Sequence, residues 1–216
     1  MQNRKEIVPI HKIVFAVIFV SAALITSLFV FNLSHRPQKL MLPADQGIVF
    51  PEPRDINTFE LVTTDGKPFT QDNLRNHTTL LFFGFSHCAN VCPATLNIIE
   101  HAYASLKKAS PNLQVVFVSL DPLRDKPAAL EKYVHSFNAD FIDVSGKIDA
   151  LHKLQSQFGV YSARDQAPSN NYQLQHTAST FLINAKGKWA SIFNYGLKPD
   201  QLVAGVEASR AALGIS

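Results

Sequence analysis

The chain has 216 residues, 46% of them hydrophobic and 16 of them phenylalanine, enough for one domain with a substantial core plus an appendage. A core of that size does not need its two cysteines as staples, which sets the chain apart from small disulfide scaffolds. The formal charge of +3 leaves no nucleic-acid footprint: Arg4, Lys5 and Lys12 against Glu6 supply two of those charges, and the remainder is near neutral.

Residues 1–12 are short and basic. Ile13 to Leu33 carries no charged residue and is close to the ~20 residues needed to cross a bilayer. Basic residues before an apolar run place the N-terminus in the cytoplasm and the rest of the chain on the far side. The competing reading is a cleaved signal peptide, since Ser21-Ala22-Ala23 resembles a small-residue cleavage site. The apolar run continues well past it, which favours a retained anchor. A short basic start without an Arg- and Ser-rich transit pattern favours a bacterial host, so the expected location is the inner membrane, single-pass, with the C-terminal domain in the periplasm. That compartment is oxidising. Residues 34–55 are polar and contain Pro37, Pro43, Pro51 and Pro53, the composition of an extended tether.

Residues 56–216 read as an α/β domain. Phe59 to Val62 and Lys67 to Phe69 flank Asp65-Gly66 as a hairpin. Thr79 to Phe85 is continuously apolar, as expected of a central strand covered on both faces. Pro93 to Lys108 is helical, with Pro93 in the first turn and Ile98, Ile99, Ala102 and Leu106 at helical spacing. Leu113 to Leu120 is a second buried strand. A helix over Ala128 to Phe137, a short strand over Phe141 to Val144 and a helix over Ile148 to Phe158 follow. Ser162 to Gln173 is polar and is expected to be an exposed loop. A hairpin over His176 to Asn184 and Trp189 to Tyr195, then a helix over Pro199 to Ala212, complete a thioredoxin-like order.

The chemistry concentrates where the central strand turns into a helix. Cys88 and Cys92 are the only cysteines, four positions apart. On a helix such positions share a face, with Cβ atoms ~6 Å apart. Two thiols there can close a disulfide or hold a soft metal, and the positive end of the helix dipole is expected to favour thiolate at both. The spacing is one residue wider than Cys-x-x-Cys and suits two thiolates flanking a metal. Structural zinc asks for four ligands, whereas soft thiolates select Cu(I), which one imidazole would complete. A purely structural disulfide is the alternative. Of the eight histidines, His11 and His35 flank the apolar run, His101, His135 and His152 lie on helices, and His77 is expected to be solvated. His87 adjoins Cys88, but adjacent side chains diverge. His176 enters the last hairpin, whose mouth faces the Cys corner in a thioredoxin-like fold.

Three segments together resemble the Sco/SenC family of membrane-anchored copper chaperones. They are Phe83-Gly-Phe-Ser-His-Cys-Ala-Asn-Val-Cys-Pro93, Val118-Ser-Leu-Asp-Pro-Leu-Arg-Asp-Lys-Pro127 and Gln175-His176-Thr177. The resemblance implies a thioredoxin-like domain binding one copper ion, as Cu(I) and also Cu(II), through Cys88, Cys92 and His176. It implies assembly of the dinuclear copper centre of cytochrome c oxidase, by copper delivery, by reduction of the target through a redox-active Cys88–Cys92 disulfide, or both. The expected partners are the copper-centre subunit of that oxidase, another copper donor and a thioredoxin-like reductant. Such a chain is a metallochaperone rather than an enzyme; a membrane-anchored thiol–disulfide oxidoreductase is the runner-up, and a peroxidase is weaker still. Asp121, Arg124 and Asp125 match the second segment. They either orient the copper loop or dock a partner, or they act locally, with Asp125 capping the helix near Pro127. Many relatives carry acidic residues where this chain has Asn90 and Gln175, a difference that bears on Cu(II) more than on Cu(I).

Overall fold

A computed structural model describes residues 10–34, 42–43, 46–166 and 172–214. The chain divides into two compact units, Met1–Lys39 and Leu40–Ser216. In the first, helix α1 spans Ile10–Ser34. Among the described residues no helix is long and apolar enough to cross a membrane. The described side chains of α1 run unbroken only from Val17 to Phe31, all of them exposed, so an anchor over Ile13 to Leu33 rests on the sequence.

The second unit is an α/β domain. Its strands are β1 Gly47–Arg54, β2 Glu60–Thr63, β3 Pro68–Thr70, β4 Thr78–Gly84, β5 Leu113–Ser119, β6 Ile142–Ser145, β7 Ser162–Arg164, β8 Leu174–His176, β9 Thr180–Ile183 and β10 Trp189–Phe193. Its helices are α2 Val91–Ala109, α3 Pro127–His135, α4 Ile148–Phe158 and α5 Pro199–Leu213. Eight strands form one mixed sheet in the order β1-β10-β9-β4-β5-β6-β2-β3. β4, β5 and β6 run parallel, joined by α2 and α3, while β9 lies antiparallel on the other side of β4.

Burial explains why β4 is central. All seven of its residues are buried. Leu80 and Phe82 point into a core shared with Leu96 and Ile99 of α2, Leu130 and Val134 of α3, and Leu202 and Val206 of α5. Leu81 and Phe83 point the other way, into a core with Leu151, Leu154 and Phe158 of α4 and with Phe181 and Trp189. Each such side chain contributes ~1.5–3 kcal/mol of burial. A strand covered on both faces reads as a continuous apolar run, which is how the sequence shows it.

The tether reading gives way at its C-terminal end. Gly47–Arg54 pairs antiparallel with β10 and forms an edge of the sheet. Pro51 and Pro53 obscured it, yet an edge strand tolerates prolines because their missing N–H groups interrupt no inner ladder. Gly47 has φ +152°, and a Cβ there would sit 2.1 Å from the Ile192 carbonyl oxygen, so this edge needs glycine. Of the remaining tether and the basic N-terminus, residues 1–9, 35–41 and 44–45 lie outside the described residues.

The polar loop expected over Ser162 to Gln173 also differs. Its first residues form β7, which pairs with β8 in a separate two-stranded sheet, with Ser162 opposite His176. Residues 167–171 of that segment lie outside the described residues. A three-residue strand carries too little periodicity to be read from sequence. This small hairpin shares no ladder with the main sheet, so side chains must fix its position.

Candidate metal centre

β4 delivers the chain to the Cys corner. After Gly84 the backbone turns, with the Cys88 N–H donating to the Phe85 carbonyl at 3.3 Å, and α2 begins at Val91. Cys92 lies in the first turn of α2 and is fully buried, while Cys88 in the preceding loop is half-buried. The Cys92 N–H, one of the unpaired donors at a helix start, points at the Cys88 sulfur from 3.4 Å. Both cysteines are free.

β8 brings His176 to the same place. Its Nε2 lies 3.3 Å from the Cys92 sulfur. The ring packs edge-on against Phe82 and Phe85, at centroid distances of 6.2 and 5.8 Å. Its Nδ1 is 3.0 Å from the Thr177 carbonyl oxygen. Only a protonated Nδ1 can donate to a carbonyl, so Nε2 keeps its lone pair and turns it toward the thiols. The backbone thus orients the imidazole, the task a neighbouring carboxylate performs elsewhere. Gln175 is exposed and takes no part in orienting the ring.

The ligand atoms of Cys88, Cys92 and His176 all lie within 4.8 Å of one another. Two atoms bonded to one ion at ~2.0–2.3 Å can be at most ~4.6 Å apart, so the set is a small adjustment from coordination geometry. Among the described residues it is the one such group. Two sulfurs and one imidazole are a soft set that suits cuprous copper and falls short of the four ligands of structural zinc.

Electrostatics correct one expectation. Cys92 is not held as thiolate by the helix start: burial pushes its thiol well above the ordinary range, and the neighbouring Cys88 adds to the shift. Desolvation outweighs a half-charge of dipole when the sulfur is fully enclosed. Burial also lowers the His176 pKa, keeping the imidazole neutral and able to bind metal.

Gly84 lies directly beneath the site. A Cβ there would stand 2.8 Å from the Phe117 ring and 3.1 Å from the Cys92 sulfur. Gly84→Ala is therefore expected to destabilise the domain by ~1–3 kcal/mol through overpacking and to displace the Cys92 sulfur. Thermal denaturation and copper titration of the variant measure the two effects.

The loop between β5 and α3 braces both halves of the centre. Asp125 is buried and accepts from the Ser86 N–H at 3.1 Å, the Ser86 hydroxyl at 2.5 Å and the Ser119 hydroxyl at 2.6 Å. It does not cap α3, whose N-cap residue is Lys126 with no side-chain bond. Instead it ties the Cys loop to the end of β5. Asp121 binds the other half, accepting from Arg124 Nε at 2.5 Å and from the Tyr172 hydroxyl at 2.6 Å. Arg124 also donates to the Tyr172 carbonyl at 2.8 Å. Tyr172 carried no sequence signal, and Ser86, Ser119 and Thr177 stood inside the quoted segments without a role, because no local pattern marks contacts made across the fold.

The other histidines stand apart. His87 is turned toward Ser86, with Nδ1 2.9 Å from its hydroxyl, and lies 3.5 Å from Asp125. His101 contacts the Asn97 carbonyl at 2.7 Å, His135 lies 3.4 Å from Asp143, and His11 and His152 are exposed. His77 is half-buried rather than solvated, and its buried Nδ1 has no hydrogen-bond partner. His35 lies outside the described residues.

The family model described as SCO1/SenC matches residues 51–210. An SCO2-like protein of Rickettsia conorii is 33% identical over 147 residues, which cover 67% of this chain and 72% of that one. The Arabidopsis thaliana ScoI structure with copper bound aligns with TM-score 0.67 at 27% identity, covering 71% of this chain and 96% of the other. The Bradyrhizobium japonicum ScoI structure with copper bound aligns with TM-score 0.64 at 30% identity, covering 70% and 96%.

Proposed function

Because this chain belongs to the SCO1/SenC family, we propose that it is a membrane-anchored copper metallochaperone that carries one copper ion on Cys88, Cys92 and His176 and assists assembly of the dinuclear copper centre of cytochrome c oxidase. The observation that carries this reading is the convergence of two free sulfurs and one imidazole nitrogen within 4.8 Å. Copper is cargo here. Cys88 and Cys92 hold it as thiolates, and His176 Nε2 closes the set. Asp125 steadies the Cys loop, while Asp121 and Arg124 steady the hairpin that bears His176.

Exposure sets the direction of transfer. Cys92 is buried while Cys88 and His176 are both half-buried, so an incoming thiolate reaches the ion past Cys88 or His176 rather than past Cys92. Cuprous copper tolerates low coordination, and the target's cysteines can replace the chain's ligands one at a time. An anchor over residues 13–33, followed by a tether from residue 34 to the start of the folded domain, confines donor and acceptor to one membrane, with the domain that opens on β1 in the periplasm. Another copper donor would load the site, and a thioredoxin-like reductant would keep both thiols reduced in that oxidising space.

The second reading is a thiol–disulfide oxidoreductase acting on the same target. It rests on the two free cysteines sharing one corner. Transfer separates the two. The full chain in detergent, loaded with one Cu(I) and mixed anaerobically with the metal-free, reduced copper-centre subunit, is expected to lose copper to that subunit. Retained copper, together with reduction of the target's disulfide when the target is supplied oxidised, favours the redox reading.

A further inference from the structure

We infer that Tyr172 is a positioning residue for the copper site, latching the β7–β8 hairpin so that His176 faces Cys92; this rests on the reading of His176 as a ligand.

Four observations converge on Tyr172. Its hydroxyl donates to buried Asp121 at 2.6 Å. Its carbonyl accepts from Arg124 at 2.8 Å. The guanidinium of Arg124 lies 3.5 Å from the ring centroid, and that of Arg164, on β7, lies 3.8 Å from it. The residue as a whole is only 4% exposed. Two cations on one tyrosine ring would repel each other in the open; here Asp121 neutralises Arg124, and the ring attracts both.

The latch matters because, among the described residues, the hairpin's other holds lie at its base and within β8, where Leu174 packs against the main core. The hairpin forms a sheet of its own. At its base Gln155 donates to the Ser162 hydroxyl at 2.7 Å, and Tyr161 and Thr177 exchange bonds of 3.0 Å. At the far end, Tyr172 precedes β8 by two residues and joins it to the loop after β5. With base and far end both fixed, His176 has one place to be. With Tyr172 removed, the hairpin pivots on its base and the imidazole is in position only part of the time. The apparent affinity for copper then falls in proportion to the fraction of molecules with the imidazole in place.

The test compares Tyr172→Ala, Tyr172→Phe, Arg164→Ala and His176→Ala in the full chain. In the metal-free protein, amide exchange at Asp165, whose N–H group bonds the Gln173 carbonyl beyond the base, is expected to quicken about tenfold in Tyr172→Ala. The anaerobic Cu(I) dissociation constant is expected to rise about tenfold. X-ray absorption is expected to show sulfur ligation kept and nitrogen ligation reduced. Tyr172→Phe retains the ring between the guanidiniums but loses the bond to Asp121, so it should fall between Tyr172→Ala and the native chain in all three readouts. Arg164 is exposed, so Arg164→Ala remains informative if Tyr172→Ala fails to fold, and it should weaken copper binding about threefold. Native affinity, exchange and nitrogen count in Tyr172→Ala overturn the latch. Native nitrogen count in His176→Ala overturns the ligand reading on which the latch rests.

Discussion

Replacing Cys88 and Cys92 together with serine is expected to cut the copper bound by the full chain from one equivalent to none. Serine is nearly isosteric with cysteine, but its hydroxyl is a hard donor that stays protonated, and Cu(I) selects soft sulfur. His176 alone cannot hold the ion, and among the described residues no other group of three ligands stands ready. The same chemistry sets a pH dependence. Burial raises the Cys92 pKa above its ordinary value, so the metal-free site holds a neutral thiol at neutral pH. Loading must expel that proton, and copper affinity therefore falls as pH falls. His176 does not add to the loss near neutrality, because its own pKa is shifted down and the imidazole is already neutral. Metal analysis of the double variant after anaerobic dialysis reads the stoichiometry directly. A variant that still binds one equivalent places the metal elsewhere.

Replacing His176 with alanine is expected to leave one copper per chain but to weaken its hold at least about tenfold, ~1.4 kcal/mol. Two thiolates retain Cu(I) in a lower-coordinate arrangement, whereas Cu(II), which favours nitrogen donors, should be lost more completely. In cells lacking the native chain, this variant is expected to leave the oxidase short of its dinuclear centre. Intact oxidase assembly with the variant would favour the redox reading, in which only the cysteines are needed. The alanine removes a half-buried ring that packs against Phe82 and Phe85, so thermal denaturation of the variant must accompany the assay.

Some of this was legible in the sequence, and the reason is local. α4 appears residue for residue where its apolar spacing placed it, and β4 and β5 fall within one residue of their predicted bounds at each end. Each has a strong period or an unbroken apolar run. The Cys corner was legible because it lies between two such elements. His176 could be reached by topology, since β9 enters the sheet beside β4 and its first residues must lie at the end of β4 that leads to the cysteines. Cys92 was misjudged electrostatically, because helix position is a sequence property and burial is not. Asp125 looked like a cap because it stands just before a helix, yet its partners are Ser86 in the Cys loop and Ser119 at the end of β5. Tyr172 was passed over in a polar segment. Its bond to Asp121 spans 51 positions, and nothing periodic connects the two. Elements announce themselves locally; the contacts that aim a ligand do not.

X-ray absorption on the anaerobic Cu(I)-loaded full chain counts the neighbours of the ion directly. Two sulfurs and one nitrogen are expected, with the nitrogen lost in His176→Ala and both sulfurs lost in the double serine variant. A native ion with sulfur neighbours alone, or with a nitrogen that survives removal of His176, would contradict the account.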